Sequence, residues 1–401
     1  WLNSATFSQE KQKFERLYLA GTCEWAVNIV TDRLRSSISG NVLWLNAHRG
    51  FGKSLIAWRV SQKLSDAVYS DYYFNENDSG KNNATSLVEK LACDFATYFV
   101  DFKAHVANLY EEEKENAMAE GYESLLSDPV RAFREIIVKG LKSLNRDNQK
   151  YILIVIDGLD KCGLTDRSVK DARTTRKSLL DIIENECQNL PPFVKIFVTA
   201  QPHSDIFESL LNVNAACVEV IDQIESDSGI VGYKFKNNED IESFSRNKLE
   251  EILDTYELPK NVMDLLECIR ILSKKSKGSF EYVRLLILDV DHRWSKENEN
   301  SVHQRTMDLD VNHSWSKENE NYVQPHTMGD LLRIFNQFDG GEDDLYLQIL
   351  SREFERVNEE TIVRFRQVME ILVAEPKPVT QEFIEKMLNL NSYEVGAIII
   401  R

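Results

Sequence analysis

A β-rich hexamer, Asn41-Val-Leu-Trp-Leu-Asn46, runs directly into Ala47-His48-Arg49-Gly50-Phe51-Gly52-Lys53-Ser54, and the amphipathic stretch Leu55 to Leu64 follows at once. Strand, glycine loop and helix in that order constrain the chain more than any other feature. They demand a buried strand whose C-terminal tip opens into a phosphate-sized turn. Gly50 and Gly52 leave the backbone N–H groups free to wrap an anion, Lys53 reaches β and γ oxygens, and Ser54 offers a hydroxyl to Mg²⁺ as the helix begins. Ala47, His48, Arg49, Gly50, Phe51, Gly52, Lys53, Ser54 and Leu55 are therefore the candidate nucleotide contacts.

A second run, Tyr151-Ile-Leu-Ile-Val-Ile156-Asp157-Gly158-Leu159-Asp160, is an apolar strand ending in carboxylates. In a parallel sheet such a tip emerges at the edge where ligands sit, so Asp157 can hold the metal from the side opposite Ser54. Taken singly, a Gly-Lys-Ser turn is common on surfaces and an acid-tipped strand is common in α/β cores. Their order, with the helix after the first and the second downstream, selects nucleotide binding over both bland readings.

Length and composition bound the rest. The 401 residues, 42% of them hydrophobic, suffice for a large core and two or three domains. A formal charge of −17 would be repelled by a nucleic-acid backbone or an anionic membrane surface, so neither is expected as the main partner. Apolar runs such as Ile152 to Ile156 fall far short of the roughly 18 residues that a spanning helix needs. Cys23, Cys93, Cys162, Cys187, Cys217 and Cys268 lie far apart, without zinc or disulfide spacing, and read as reduced thiols of a cytoplasmic protein. The chain opens at Trp1 without methionine or leader, and is expected to be an excerpt of a longer protein.

Strand-like runs at Val42 to Asn46, Tyr69 to Phe74, Tyr151 to Asp157, Val194 to Thr199 and Ala215 to Ile221 alternate with longer helical patterns. That alternation predicts an α/β fold with a parallel sheet flanked by helices. The acidic run Glu111 to Glu115 reads as a solvated helix face. Beyond Glu225 helical periodicity takes over, at Asp240 to Leu249, Val262 to Ser273 and Gly278 to Leu288. His292-Arg-Trp294-Ser-Lys-Glu-Asn-Glu-Asn300 then recurs as His313-Ser-Trp315-Ser-Lys-Glu-Asn-Glu-Asn321, a duplication too short and polar for a solenoid and read as a surface linker. Further helices are expected at Leu331 to Phe338, Leu345 to Phe354, Thr361 to Leu372 and after Thr380. The domains are drawn at 1–40, 41–224, 225–291, 292–328 and 329–401.

With these motifs assembled, the chain resembles the NACHT class of STAND P-loop NTPases, especially the fungal-type NLR-like receptors. Gly21-Thr22 is similar to the family's adenine-side Gly-Thr, Ala47 to Ser54 to its Walker A, and Ile156 to Asp160 to its Walker B. Ile196-Phe-Val-Thr199-Ala200-Gln201-Pro202 is similar to its sensor 1. The resemblance implies a nucleotide-binding domain over 41–224, a helical domain over 225–291 and a partial winged-helix domain over 329–401. It also implies ATP or ADP with Mg²⁺ on Ser54 and Asp157, water orientation by Asp160 and a γ-phosphate contact from Gln201. Self-association on activation, with effector and repeat domains outside this chain, follows from the same resemblance.

Departures from the pattern bear on chemistry. Ala47 stands where the family prefers glycine, Lys161 where it has a second acid, Gln201 where it has an arginine, and Cys23 where arginine is frequent. Losing a charge-assisted contact at the γ-phosphate slows phosphoryl transfer more than it weakens binding. The expected activity is a nucleotide-dependent signalling switch with weak ATPase turnover at most. The alternative is a non-hydrolysing scaffold that serves as an interaction platform. A small-molecule kinase would not explain the helical tail.

Overall fold

Five parallel strands form the sheet, and their sequences show why. The computed structural model describes residues 2, 5–36, 41–75, 78–117, 122–144, 151–163, 176–213, 216–220, 234–311, 326–338, 340–355, 363, 366–368 and 386. The chain divides into two compact units, Trp1–Tyr233 with Glu359–Arg401, and Lys234–Asn358. In the first, β1 (Val42–Ala47), β2 (Val68–Tyr73), β3 (Ile152–Asp157), β4 (Val194–Ala200) and β5 (Ala216–Val220) take the order β2-β3-β4-β1-β5. The predicted strands therefore lie within a residue of the observed ones at each described end.

Every residue of β1 and β3 is buried. A continuous apolar run without polar alternation is what a strand covered on both faces requires. Successive side chains still point to opposite faces. Val42, Trp44, Ile152, Ile154, Ile156, Ile196 and Val198 join one cluster with Leu87, Leu91, Phe133 and Ile136 of the helices between β2 and β3. Leu43, Leu45, Leu153, Val155 and Phe197 are as deeply buried but belong to the alternate rows. The helix α3 (Lys53–Lys63), which packs on β3 and β4, buries Ile56, Ala57 and Val60. By the same two-residue period, Asp157 continues the row of Leu153 and Val155, and Thr199 continues that of Phe197.

Upstream, α1 (Ser8–Leu17) and α2 (Glu24–Arg35) flank the Gly21-Thr22 break, where Gly21 has φ +94° and Cys23 φ +61°. Between β2 and β3 lie α4 (Ala84–Tyr98), α5 (Val100–Asn116) and a helix from Pro129 to Lys142 with a π turn over Phe133–Val138. The acidic run on α5 is exposed except for Glu113, half-buried because its Oε2 accepts the Leu125 N–H at 2.9 Å. Phe74 and Phe197 are core residues, whereas Trp58 is half-buried with its ring 5.8 Å from that of Tyr18.

The second unit is helical in its described residues: Lys234–Thr255, Val262–Ser276, Phe280–Val311, Met328–Gln337 and Glu342–Glu355. It crosses the boundaries drawn at 225–291, 292–328 and 329–401. The first copy of the duplication, expected as a linker, continues the Phe280–Val311 helix. Trp294 explains the difference: it is 2% exposed, with His326 stacked at 4.3 Å and Tyr256 edge-on at 4.9 Å. Burying an indole outweighs the polar character of its neighbours. Asp289, nearly fully buried, is held by Arg293 at 2.7 Å and by Arg352. The second copy at 313–321, the predicted helix after Thr380 and most of Thr361 to Leu372 lie outside the described residues. No described helix is long and apolar enough to cross a membrane.

One polar clamp ties the N-terminal segment to α3. Tyr18 Oη donates to Glu24 Oε1 at 2.5 Å, Arg59 Nη2 donates to the same oxygen at 2.9 Å, and the guanidinium lies 4.7 Å from the Tyr18 ring centroid. The Tyr18 hydrogen bond, reinforced by Arg59 and opposed by burial, holds the Glu24 carboxyl below its ordinary range. A carboxylate depressed in the folded state contributes stability above its unfolded pKa, about 4.3, and loses it as pH falls through the folded value. Glu24→Gln should therefore destabilise the protein at pH 7, and its deficit against the parent should shrink on acidification below about pH 4.3. Denaturant titrations at both pH values measure this; an equal deficit at each would show that the charge of Glu24 does not hold the clamp.

Candidate functional site

The site forms where the rows of the α3 face end in polar residues. β1 ends in the turn that opens α3, with Gly50 at φ +77° and Gly52 at φ +81°. Those left-handed values suit glycine, and they turn the chain so that the first amides of an 11-residue helix point out of its N-terminus. Such a helix start attracts anions through its unpaired N–H groups and its dipole. Ala47 is accommodated as the last residue of β1, buried and in register with Val220, so its methyl group does not disturb the turn. His48 and Arg49 are exposed, while Gly50, Phe51, Gly52, Lys53, Ser54 and Leu55 are half-buried. The Lys53 ammonium donates to the carbonyls of Ala47 and His48, both at 2.8 Å, and so braces the loop from inside.

Asp157 sits across from this turn with its carboxylate 1% exposed. Ser54 Oγ donates to Oδ2 at 2.7 Å, and Thr199 Oγ1 donates to Oδ1 at 2.6 Å. Thr199 Oγ1 in turn accepts the Gly158 N–H at 3.0 Å. The sheet order produces this arrangement: β4 lies between β1 and β3, so Thr199, in register with Leu45, fills the gap between the two strand tips. The sequence motif contains Thr199, yet the spacing gives no sign that its hydroxyl anchors Asp157.

Asp160 and Gln201 are brought together rather than left facing a ligand separately. Gln201 donates its backbone N–H to Asp160 Oδ1 at 3.0 Å and its side-chain Nε2 to Oδ2 at 2.9 Å. Asp160 is buried, and its carbonyl accepts from Arg176 Nη2 at 2.6 Å. Arg176, itself 7% exposed, also reaches the Cys162 carbonyl at 3.4 Å and Asp205 at 3.1 Å. No motif signals Arg176, because the two carbonyls and the Asp205 carboxylate that it reaches lie 14 to 29 residues away in sequence. Gly21 and Thr22 sit at the start of α2, which packs on α3, and the Thr22 hydroxyl donates to the Leu19 carbonyl at 2.7 Å.

These groups suit a hard oxygen-loving cation and a polyphosphate. Ser54 and Asp157 supply neighbouring oxygen donors, and among the described residues the buried carboxylate is hydrogen-bonded by neutral hydroxyls alone, which leaves its charge without an ion-pair partner there. The thiols are poor nucleophiles: burial pushes Cys162, Cys187 and Cys268 up to about 12. Among the described residues no group of His, Cys, Asp and Glu forms a separate metal cluster.

The parallel sheet, with a glycine loop leading from β1 into α3, is an α/β fold consistent with the P-loop NTPase-like type. The family model described as Nephrocystin 3, N-terminal, matches residues 21–201, a little under half of the chain, from Gly21 through Gln201. No curated protein matches the chain in sequence. Two solved structures of RuvB from Thermotoga maritima align with it. One, a single-residue variant, is 10% identical and covers 92% of this chain and 80% of that one with a TM-score of 0.30. The other, described as the RuvB Holliday junction branch migration motor, is 12% identical and covers 96% and 83% with a TM-score of 0.31. Likeness of that degree decides neither fold nor chemistry.

The Thr199 contact is testable without any ligand. Thr199→Val keeps the shape but leaves the buried Asp157 Oδ1 and the Gly158 N–H short of a partner, which should cost about 1–3 kcal/mol of unfolding free energy. Denaturant titration of the nucleotide-free protein measures it, and a loss below about 0.5 kcal/mol would show that Thr199 does not anchor the strand tips.

Proposed function

We propose that the chain binds ATP or ADP with Mg²⁺ and uses the nucleotide as a conformational switch of the NACHT/STAND kind, with slow hydrolysis. The observation that carries this reading is the 2.7 Å contact between Ser54 at the start of α3 and Asp157 at the tip of β3, beside the loop braced by Lys53. In it, the amides from Gly50 to Ser54 cradle the phosphates and Lys53 exchanges its loop carbonyls for phosphate oxygens. Ser54 and Asp157 would hold Mg²⁺, which neutralises charge building between the β and γ oxygens. Gly21 and Thr22 are assigned to the adenine side. A switch further requires that the nucleotide bind two arrangements of the protein unequally, since equal affinity shifts nothing.

Slow turnover follows from how Asp160 and Gln201 are used. Asp160 would orient water, but each of its oxygens accepts a bond from Gln201. The same pair supports the second reading, a nucleotide-holding scaffold without hydrolysis. Self-association on activation, a cytoplasmic setting and flanking effector and repeat domains belong to the same proposal. So does a partial winged-helix domain from residue 329 onward.

Lys53→Ala should weaken Mg·ATP and Mg·ADP at least tenfold, because a charge-assisted contact to phosphate is removed. Calorimetric titration of parent and variant decides it, and equal affinities would remove the loop from the reading. Phosphate release by the purified parent should stay well below the roughly 1–10³ s⁻¹ typical of enzymes. A rate inside that range would refute the slow switch, whereas no release alongside tight binding would favour the scaffold.

A further inference from the structure

Lys161 follows the acid-tipped strand by one short turn. Gly158 takes φ +73°, and the Lys161 N–H closes the turn on the Gly158 carbonyl at 2.8 Å. This folds the lysine side chain back along the strand tip. A Cβ built on Gly158 would lie 3.0 Å from Lys161 Cδ, 3.2 Å from Cε and 3.3 Å from Nζ. The last three atoms of the side chain therefore run over the bare backbone of Gly158, where a Cβ would crowd them by a few tenths of an ångström. Any other residue at 158 would be strained at that φ and would press on the end of the lysine side chain.

Two polar groups flanking this turn are committed. Arg176 is held by the carbonyls of Asp160 and Cys162 and by Asp205, and the Gln201 amide is held by Asp160. Lys161, half-buried in a chain of net charge −17, has neither an ion pair nor a side-chain hydrogen bond among the described residues. A flexible stem ending in an ammonium with three donors suits a phosphate oxygen, and a lysine serves there as a point charge.

We infer that Lys161 is a nucleotide-contacting residue, its ammonium reaching the terminal phosphate of a nucleoside triphosphate from the β3 side and supplying the charge that Gln201 lacks. The inference rests on the nucleotide-binding reading of the loop and adds to it a source of discrimination: a diphosphate ends one phosphate short of the ammonium. Lys53 then holds either nucleotide, while Lys161 separates them. A cation where the resemblance leads one to expect an acid becomes a recognition element rather than a lost catalytic group.

The test measures Mg·ATP and Mg·ADP dissociation constants for the full chain, for Lys53→Ala, for Lys161→Gln and for Lys161→Arg, with a thermal melt of each to confirm folding. Lys161→Gln should weaken Mg·ATP roughly tenfold or more and change Mg·ADP less than about threefold, the loss expected when one charge-assisted hydrogen bond is removed. Lys161→Arg should keep the parental ratio of the two constants. An unchanged ratio in Lys161→Gln, or an equal loss for both nucleotides, overturns the role of Lys161 while the effect of Lys53→Ala still supports the loop. If Lys53→Ala binds both nucleotides like the parent, the underlying reading fails, and this inference with it.

Discussion

A carboxylate withdrawn almost completely from water organises this molecule. Asp157 is 1% exposed, and isolated burial of such a charge would be prohibitive. Ser54 from α3 and Thr199 from β4 each donate a hydroxyl to it, so one side chain joins the turn after β1, the tip of β3 and the end of β4. Hydrogen bonds to a charged group are stronger than neutral ones, and removing either partner leaves a deficit that the core cannot supply. The apolar rows beneath explain why the three elements meet. Leu153 and Val155 lead to Asp157, and Phe197 leads to Thr199, on the face where α3 packs. The hydrophobic pattern thus positions the polar site, and the site closes the C-terminal edge of the sheet.

Around that anchor, charge is distributed unevenly. Among the described residues the carboxylate is satisfied in number of hydrogen bonds but not in charge, because both partners are neutral hydroxyls. The lysine of the loop directs its donors to the Ala47 and His48 carbonyls, and Arg176 directs its own to the turn that follows β3. A bound cation with a polyphosphate would correct the imbalance without moving the sheet, since the donors on Ser54 and Lys53 can turn from protein oxygens to ligand. Asp160 is different. Its bonds to Gln201 link the turn after β3 to the end of β4, and freeing it for chemistry requires at least the Gln201 side chain to turn away.

Much of this was legible in the residues because the signals were local. An unbroken apolar hexamer, a glycine-lysine-serine turn and an acid at a strand tip each specify their own backbone, and the observed strands begin and end where those signals do. Interactions between distant segments were not legible. Arg176 finds the Asp160 carbonyl, and Gln201 finds the Asp160 carboxylate, through a strand order that no local pattern states. Thr199 belongs to a recognisable motif, but its hydrogen bond to Asp157 follows from β4 lying between β1 and β3. The duplicated segment makes the same point from the opposite direction. Thr306-Met307 and Thr327-Met328, each 14 residues past the start of a copy, extend the repeat: the first lies inside the Phe280–Val311 helix, whereas Thr327 caps the helix that begins at Met328. The same dipeptide takes both roles, because Asp330 completes a capping box for Thr327 and Trp294 draws the first copy into a helix through burial.

At positions 161 and 201 the chain sets a cation just past the tip of β3 and an uncharged amide just after β4. In the NACHT pattern that the chain resembles, an acid and an arginine would stand at these positions, so in the proposed reading the cation lies on the β3 side instead of after β4. Gln201, relieved of any charge, is free to satisfy a buried acid, and it does so through both its backbone and its side chain. In the proposed reading, that arrangement favours holding a nucleotide over cleaving it. A carboxylate engaged by an amide is a poor partner for an attacking water, and an ammonium on a long stem can grip a phosphate without the planar, fixed geometry that guanidinium brings to a transition state.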